Sequence, residues 1–246
     1  MEGNSKEAYR SAQELLQQAI QLTPEFAQAH HKTSLAKIVE WMAHWAEDRE
    51  ATFSESLEAA KRALALDNTD SGFHAQYGFL LMYRDEHETA RGHFEKAIQL
   101  NPNDAKAMAV YGFYLTSIHE LDKAILAVDQ ASRLDPLAPD WINWVRGITF
   151  YTAQRYPDAI RCLKSIRLPM NEVRGWLAAS YAQSGKLDQA RTALEAFLSA
   201  AQVEMAHCPP RKLAAWRSYW HAAIPYTEPA DEAHLLDGLR KAGMSD

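Results

Sequence analysis

With 246 residues, 24% charged and 47% hydrophobic side chains, ten Gly, ten Pro and a net charge of −6, the chain has the composition of a soluble, helix-rich globular protein with material for a substantial core. The acidic balance argues against a nucleic-acid backbone as ligand, because phosphate contacts call for clustered Lys and Arg; pairs such as Arg211-Lys212 and Arg240-Lys241 read as solvated surface. No apolar stretch approaches the ~18 residues of a membrane span, no charged-then-apolar leader opens the chain, and Cys162 and Cys208 make no disulfide framework, so the expected compartment is a reducing cytoplasm.

From the N-terminus, Ala12, Leu16, Ala19 and Pro24 predict a second helix near 8–22 in a truncated unit whose first helix is not visible in this chain. Ser56, Ala60, Ala63 and Asn68 predict the next second helix near 54–66. Between Pro24 and Asn68 lie about ten residues more than one period, predicting an elongated first helix and turn around 40–52. The line ETARGHFEKAIQLNPNDAKAMAVYGFYL then sets the pattern: Ala90, Phe94, Ala97 and Pro102, at spacings of 4, 3 and 5, recur 34 residues later as Ala124, Val128, Ala131 and Pro136. Tyr77-Gly78 followed by Leu81 likewise returns as Tyr111-Gly112 followed by Leu115. Second helices are therefore expected near 88–100 and 122–134. Ala159, Leu163 and Ile166, with Gly147 upstream, mark another near 157–167. Ala190, Leu194 and Phe197, after Tyr181 and Gly185, mark one near 188–200. The step from Ala159 to Ala190 is only 31, which predicts a shortened turn around Pro169.

Residues 203–246 leave the repeat. An amphipathic helix is expected at 213–221, with Leu213, Trp216 and Trp220 on one side; Pro225 breaks it. Another starts near Pro229 and carries Leu235, Leu236 and Leu239 before Gly243. Stacked hairpins bury their faces on their neighbours, so the array needs a cap at its end, and these helices are read as that cap.

The beat over about residues 5–200 resembles the tetratricopeptide repeat (TPR) family. That resemblance implies an all-α, right-handed α-solenoid of five to six helical hairpins over 1–202, closed by capping helices over 203–246. Gly78, Gly112, Ala90 and Ala124 are expected where helices cross closely, and Phe94 and Leu163 between one hairpin and the next. Asn101, Asp104, Asp135 and Asp140 are expected to cap helices. The tail PADEAHLLDGLRKAGMSD, over 229–246, carries a closer resemblance, together with Trp41, Trp45, Glu47 and Asp48 and with Pro139-Asp140-Trp141. These are similar to the TPR regions of bacterial multidomain regulators, where the repeats follow a class III adenylate/guanylate cyclase domain or a winged-helix DNA-binding domain. The resemblance implies a regulatory, partner-binding region; the cyclase's metal-binding aspartates have no counterpart here.

Chemistry-bearing motifs are scarce. His30-His31 diverge by about 100° on a helix, and no HExxH, CxxC, EF-hand, G-x-S-x-G or glycine-rich phosphate loop occurs. His87 and His93 lie among acids but read as polar surface; His207 and Cys208 lack a second pair of ligands; Cys162 reads as a small buried hydrophobe. No catalytic residue, metal site or cofactor is expected. In TPR arrays, positions 2, 5, 9 and 12 of each first helix line a concave groove. Here they include Phe79 and Met82, Lys106 and Phe113, and Trp141, Trp144 and Tyr151, an aromatic surface suited to a protein or peptide partner. The alternative is that some of these rings pack under the C-terminal cap. Ala75, Phe79, Ala109 and Phe113 exclude the carboxylate clamp of chaperone-binding TPRs. Trp41 and Trp45 share one helical face, either as core or as a dimer or docking patch that would make a homodimer. The expected function is a non-catalytic interaction scaffold; the alternative is a small-molecule or peptide sensor with a pocket under the C-terminal helices.

Overall fold

The computed structural model describes residues 6–137, 139–167, 171–204 and 212–246; the thiol of Cys208, its neighbour His207 and the turn at Pro169 lie outside them. The helices, in chain order, are α1 (Lys6–Leu22), α2 (Ala27–Met42), α3 (Arg49–Leu66), α4 (Ser71–Met82), α5 (His87–Leu100), α6 (Ala105–Ser117), α7 (Leu121–Leu134), α8 (Asp140–Thr152), α9 (Tyr156–Lys164), α10 (Asn171–Gln183), α11 (Leu187–Glu204), α12 (Leu213–Ala223) and α13 (Pro229–Ala242). Among the described residues the sole β pairing is an isolated bridge between Lys212 and Ser245. No helix there is long and apolar enough to cross a membrane. Contacts divide the chain into two compact units, 1–107 and 108–246.

Small residues in each first helix admit the second helix of the same hairpin. A Cβ on Gly78 would lie 3.1 Å from the Ala90 carbonyl and 3.2 Å from the Phe94 ring. On Gly112 it would lie 2.6 Å from Val128 Cγ1, and on Gly147 2.5 Å from Leu163 Cδ2. Phe94 and Leu163 thus fill space inside their own hairpins. The bulky side chain needs the missing Cβ opposite it, and both belong to one period of the sequence. The hairpin α2–α3 solves the same crossing differently. Ser34 stands where the others carry Gly, and Ala60 replaces the bulky residue, leaving room for a buried polar knot. There Ser34 Oγ and Ser56 Oγ lie 3.1 Å apart, Ser56 Oγ donates to the Ser34 carbonyl at 2.8 Å, and Gln76 Nε2 donates to Ser34 Oγ at 3.0 Å. Every member shields the others' polar atoms from apolar surroundings, as a buried network requires.

The additional residues between the first two periods lengthen the second helix as well as the turn: α3 already starts at Arg49, with Asp48 Oδ1 accepting from Ala51 N at 2.9 Å. Asp104 caps α6 through Lys106 N and Ala107 N, both at 3.0 Å, while its other oxygen accepts from Ser71 Oγ at 2.6 Å. The other expected caps serve turns instead: Asn101 accepts from Asn103 N and Asp135 from Leu137 N. Asp140, already inside α8, accepts from Arg167 N just beyond α9. The turns inside hairpins reuse one device, a single left-handed residue: Asp85 (φ 59), His119 (φ 60), Gln154 (φ 58) and Gly185 (φ 77) occupy the same place in successive periods.

Candidate partner-binding surfaces

In the first unit, the expected groove residues separate by exposure. Met82 is fully buried, Phe79 is half-buried with its ring 5.1 Å from Tyr83, and Lys106 is exposed. The Trp41 and Trp45 pair is packing, not a free patch. Trp41 lies 5.4 Å from Phe53 and 5.2 Å from Tyr83, in the cluster of Ile38, Phe53, Ala60 and Leu80, with the Arg49 guanidinium 4.5 Å above its ring. Arg49 Nη1 also donates to the Trp41 carbonyl at 2.6 Å and to His44 Nδ1 at 3.0 Å. Burial, then the Arg49 charge, lowers His44 to about 4, so its ring is neutral and Nδ1 is free to accept. Trp45 meets Tyr9 of α1 edge-on at 5.7 Å.

Two other histidine environments lie in this unit. His31 is buried beside Phe73, ring centroids 4.8 Å apart, and is lowered to about 4 by burial first and Lys32 second, against the raising fields of Asp70 and Asp104. His74 Nε2 bonds the Asn68 carbonyl at 3.1 Å and must be the donor. Its Nδ1 therefore accepts from His93 Nδ1–H at 3.0 Å, which fixes both tautomers. Among the described residues no three His, Cys, Asp or Glu side chains gather as a metal site would require.

In the second unit, the C-terminal helices close on Tyr151, while Phe113 and Trp144 are buried against each other. Phe113 and Trp144 stack at 5.5 Å and are 1% and 6% exposed; Trp141 is half-buried. Tyr151 has no exposed surface, and its hydroxyl donates to the His234 carbonyl at 3.0 Å. Burial raises its pKa well above the ordinary phenol value. Trp220 from α12 occupies the space where a Cβ on Gly175 of α10 would stand, 2.2 Å from its ring. In the same way Gly238 of α13 lets the helix close on Tyr151 and Ala179, its missing Cβ position 2.7 Å from the Tyr151 hydroxyl. Polar groups finish the closure. His119 Nδ1 and Asp231 Oδ2 are 2.8 Å apart, Thr227 N donates to the Ser117 carbonyl at 2.9 Å, and Lys241 bonds both Asp237, at 2.7 Å, and Gln183, at 2.9 Å. Met82, Phe113, Trp144 and Tyr151 are consequently interior residues, because other side chains already take the apolar area an incoming partner would need.

A cavity of about 120 Å³ remains beside these helices, lined by Trp220, His221, Ile224, Tyr226, Pro229, Glu232 and Leu235. It is smaller than the ~300–1,000 Å³ typical of small-molecule sites. Cys162 is buried, and its thiol is pushed up by that burial, the opposite of an activated nucleophile.

No protein-family model matches the chain, and no curated protein does. Solved structures match along most of its length. A tetratricopeptide repeat protein from Parabacteroides merdae is 15% identical, covering 96% of this chain and 93% of that one, with a TM-score of 0.51. The fold is a TPR-type α-solenoid. PilW, a type IV pilus biogenesis factor, is 18% identical over 85% of this chain and 88% of its own, at a TM-score of 0.57. A chain of the Cut9-Hcn1 APC/C hetero-tetramer is 12% identical, covering 95% of this chain and 44% of that one, at 0.64. At these identities the likeness is one of fold.

Proposed function

We propose that this TPR chain is a non-catalytic scaffold that binds a protein or peptide partner, and that the inner-face positions of the first unit, Phe79 and Lys106, carry the contact. The contrast in exposure supports this reading. The rings of Phe113, Trp144 and Tyr151 are buried within the second unit, whereas Phe79 is partly exposed and Lys106 exposed. An aromatic ring and a cation at inner-face positions suit a segment that brings an apolar anchor and a carboxylate. The small cavity beside α12 and α13 lends no comparable support to a small-molecule sensor. Co-purification with wild-type chain, Phe79→Ala/Lys106→Glu and Trp141→Ala tests the assignment. The partner should be lost from the double variant and retained by the third; retention by the double variant would overturn it.

The finer reading places the scaffold as the regulatory region of a bacterial multidomain signalling or transcription regulator in the cytoplasm. Its support is the sequence of the tail, whose Leu235, Leu236 and Leu239 build the buried side of α13. Sequencing the reading frames that adjoin this one tests it: a cyclase or winged-helix domain is expected, and an unrelated neighbourhood would count against it.

A further inference from the structure

The segment that joins α12 to α13 is pinned at several points, and the pinning frames a small recess. Thr152 Oγ1 donates to the Ile148 carbonyl at 3.0 Å, so the Tyr226 hydroxyl, 2.5 Å from that oxygen, is the donor of their pair. Thr227 N donates to the Ser117 carbonyl, and Asp231 is bonded to His119. The cavity of about 120 Å³ lies within this frame. Its floor is apolar: Trp220, Ile224 and Leu235 are each 1% exposed, and the indole N–H of Trp220 is buried. Its walls are more open. They include the Tyr226 ring, whose hydroxyl is already engaged, Pro229, and the half-buried Glu232.

Glu232 sets the chemistry of the recess. It shares the first turn of α13 with Asp231, a place that favours a carboxylate whatever it faces. Asp231 has His119 as partner. The Glu232 carboxylate has no hydrogen bond or ion pair among the described residues, although its side chain lines the cavity beside that apolar floor. No other carboxylate, lysine or arginine belongs to the lining; exposed His221 and Tyr226 are its other titratable groups. Glu228, next to Pro229 in the chain, adds negative charge, whereas Arg217 lies one turn back along α12 and outside the lining. A cavity of ~150 Å³ holds benzene, so this one takes about five or six heavy atoms, the end of a single side chain.

We propose that the cavity between α12 and α13 seats a lysine side chain of a partner protein, with its ammonium on Glu232 and its methylenes over Ile224 and Leu235. The stem covers apolar floor while the compact head meets the carboxylate, and the Tyr226 ring adds an aromatic wall beside the cation. Arginine is a poorer occupant, because its longer side chain and planar fork exceed this volume. A pinned frame means that little ordering has to accompany binding. The site shares no residue with Phe79 and Lys106, so either assignment can fail without the other.

The probe is lysine blocked as its acetyl methylamide, titrated into the full chain while the methyl resonances of Ile224 and Leu235 are followed by NMR. They should shift and saturate in the millimolar range. Blocked norleucine, which keeps the stem and lacks the charge, should bind about tenfold more weakly, the equivalent of ~1.4 kcal/mol. Glu232→Gln should bring lysine down to the norleucine level, Glu228→Gln should change little, and Phe79→Ala/Lys106→Glu should change nothing. Unmoved Ile224 and Leu235 methyls, equal binding of norleucine, or undiminished lysine binding by Glu232→Gln would each overturn the assignment. So would binding of the free diamine cadaverine without binding of blocked lysine, since a side chain attached to a backbone could not then enter.

Discussion

The two units apply the same hairpin to opposite ends. In unit 108–246 the inner face is a finished interior: Trp144 stacks on Phe113, Tyr151 bonds the α13 backbone, and Gly175 and Gly238 make room for the C-terminal helices. In unit 1–107 the crossing at Ser34 is held by hydrogen bonds as well as by close packing, and His31 is a buried titratable ring. The second unit packs aromatic rings against its own C-terminal helices, while the first combines an aromatic cluster around Trp41 with a buried polar knot at Ser34. Where a repeat's apolar face ends up is decided by whichever chain segment reaches it, and that is not encoded in the repeat itself.

The largest effect should come from undoing the closure. Trp220 is buried, stacks on Phe197 at 5.2 Å and meets Trp176 edge-on at 6.1 Å. Trp220→Ala should cost about 3–5 kcal/mol in urea unfolding, the range for large aromatic truncations in cores. A loss below about 1 kcal/mol would mean that the C-terminal helices are an appendage, not part of the interior.

The first unit should instead be sensitive to acid. His31 is lowered to about 4 when folded and regains an ordinary imidazole pKa when unfolded, so below pH 6.5 the unfolded chain takes up more protons. Stability contributed by the neutral ring is intact above pH 6.5 and is lost as pH falls from 6.5 towards 4, by roughly 2–3 kcal/mol in all. Unfolding midpoints measured across that window should fall less steeply for His31→Gln than for the wild type. Parallel curves would show that His31 is already accessible to protons in the fold.

Removing one partner from the buried knot should be milder. Ser34→Ala leaves Gln76 Nε2 without its acceptor and should cost about 1–3 kcal/mol. The double variant Ser34→Ala/Gln76→Leu should recover part of that loss, since an apolar pair needs no partner. Additive losses in the cycle would break the claim that the knot acts as a unit.

Much of this fold is legible in spacing alone. Ala90, Phe94 and Ala97 recur as Ala124, Val128 and Ala131 because each hairpin must seat a small residue opposite a bulky one, and Gly78 and Gly112 lie at the expected close crossings with Ala90 and Ala124. The pairing within a hairpin, not between hairpins, was not legible, since spacing reports which residues share a stripe but not which stripe faces them. The left-handed turns were equally hidden: Asp85, His119 and Gln154 carry no glycine to announce a positive φ. Least legible was the covering of Tyr151 by α13. It depends on contacts such as His119–Asp231, 112 residues apart, which no local pattern predicts.

The smallest expected effect turns on glycine, and it separates the units by sign. Gly92 lies inside α5 with nothing within 4 Å of where a Cβ would stand, and no positive φ calls for glycine there. Gly92→Ala should therefore stabilise the chain by about 0.5–1 kcal/mol, through helix propensity and the smaller entropy of the unfolded backbone. At Gly175 the same methyl would stand 2.2 Å from the Trp220 ring, which is too deeply packed to swing aside. Gly175→Ala should destabilise, by about 1–3 kcal/mol. Thermal unfolding of the two single variants checks both at once. If the two shifts share a sign, the closure by α12 is looser than the contact between Gly175 and Trp220 implies, and the contrast between a finished and an unfinished inner face loses its basis.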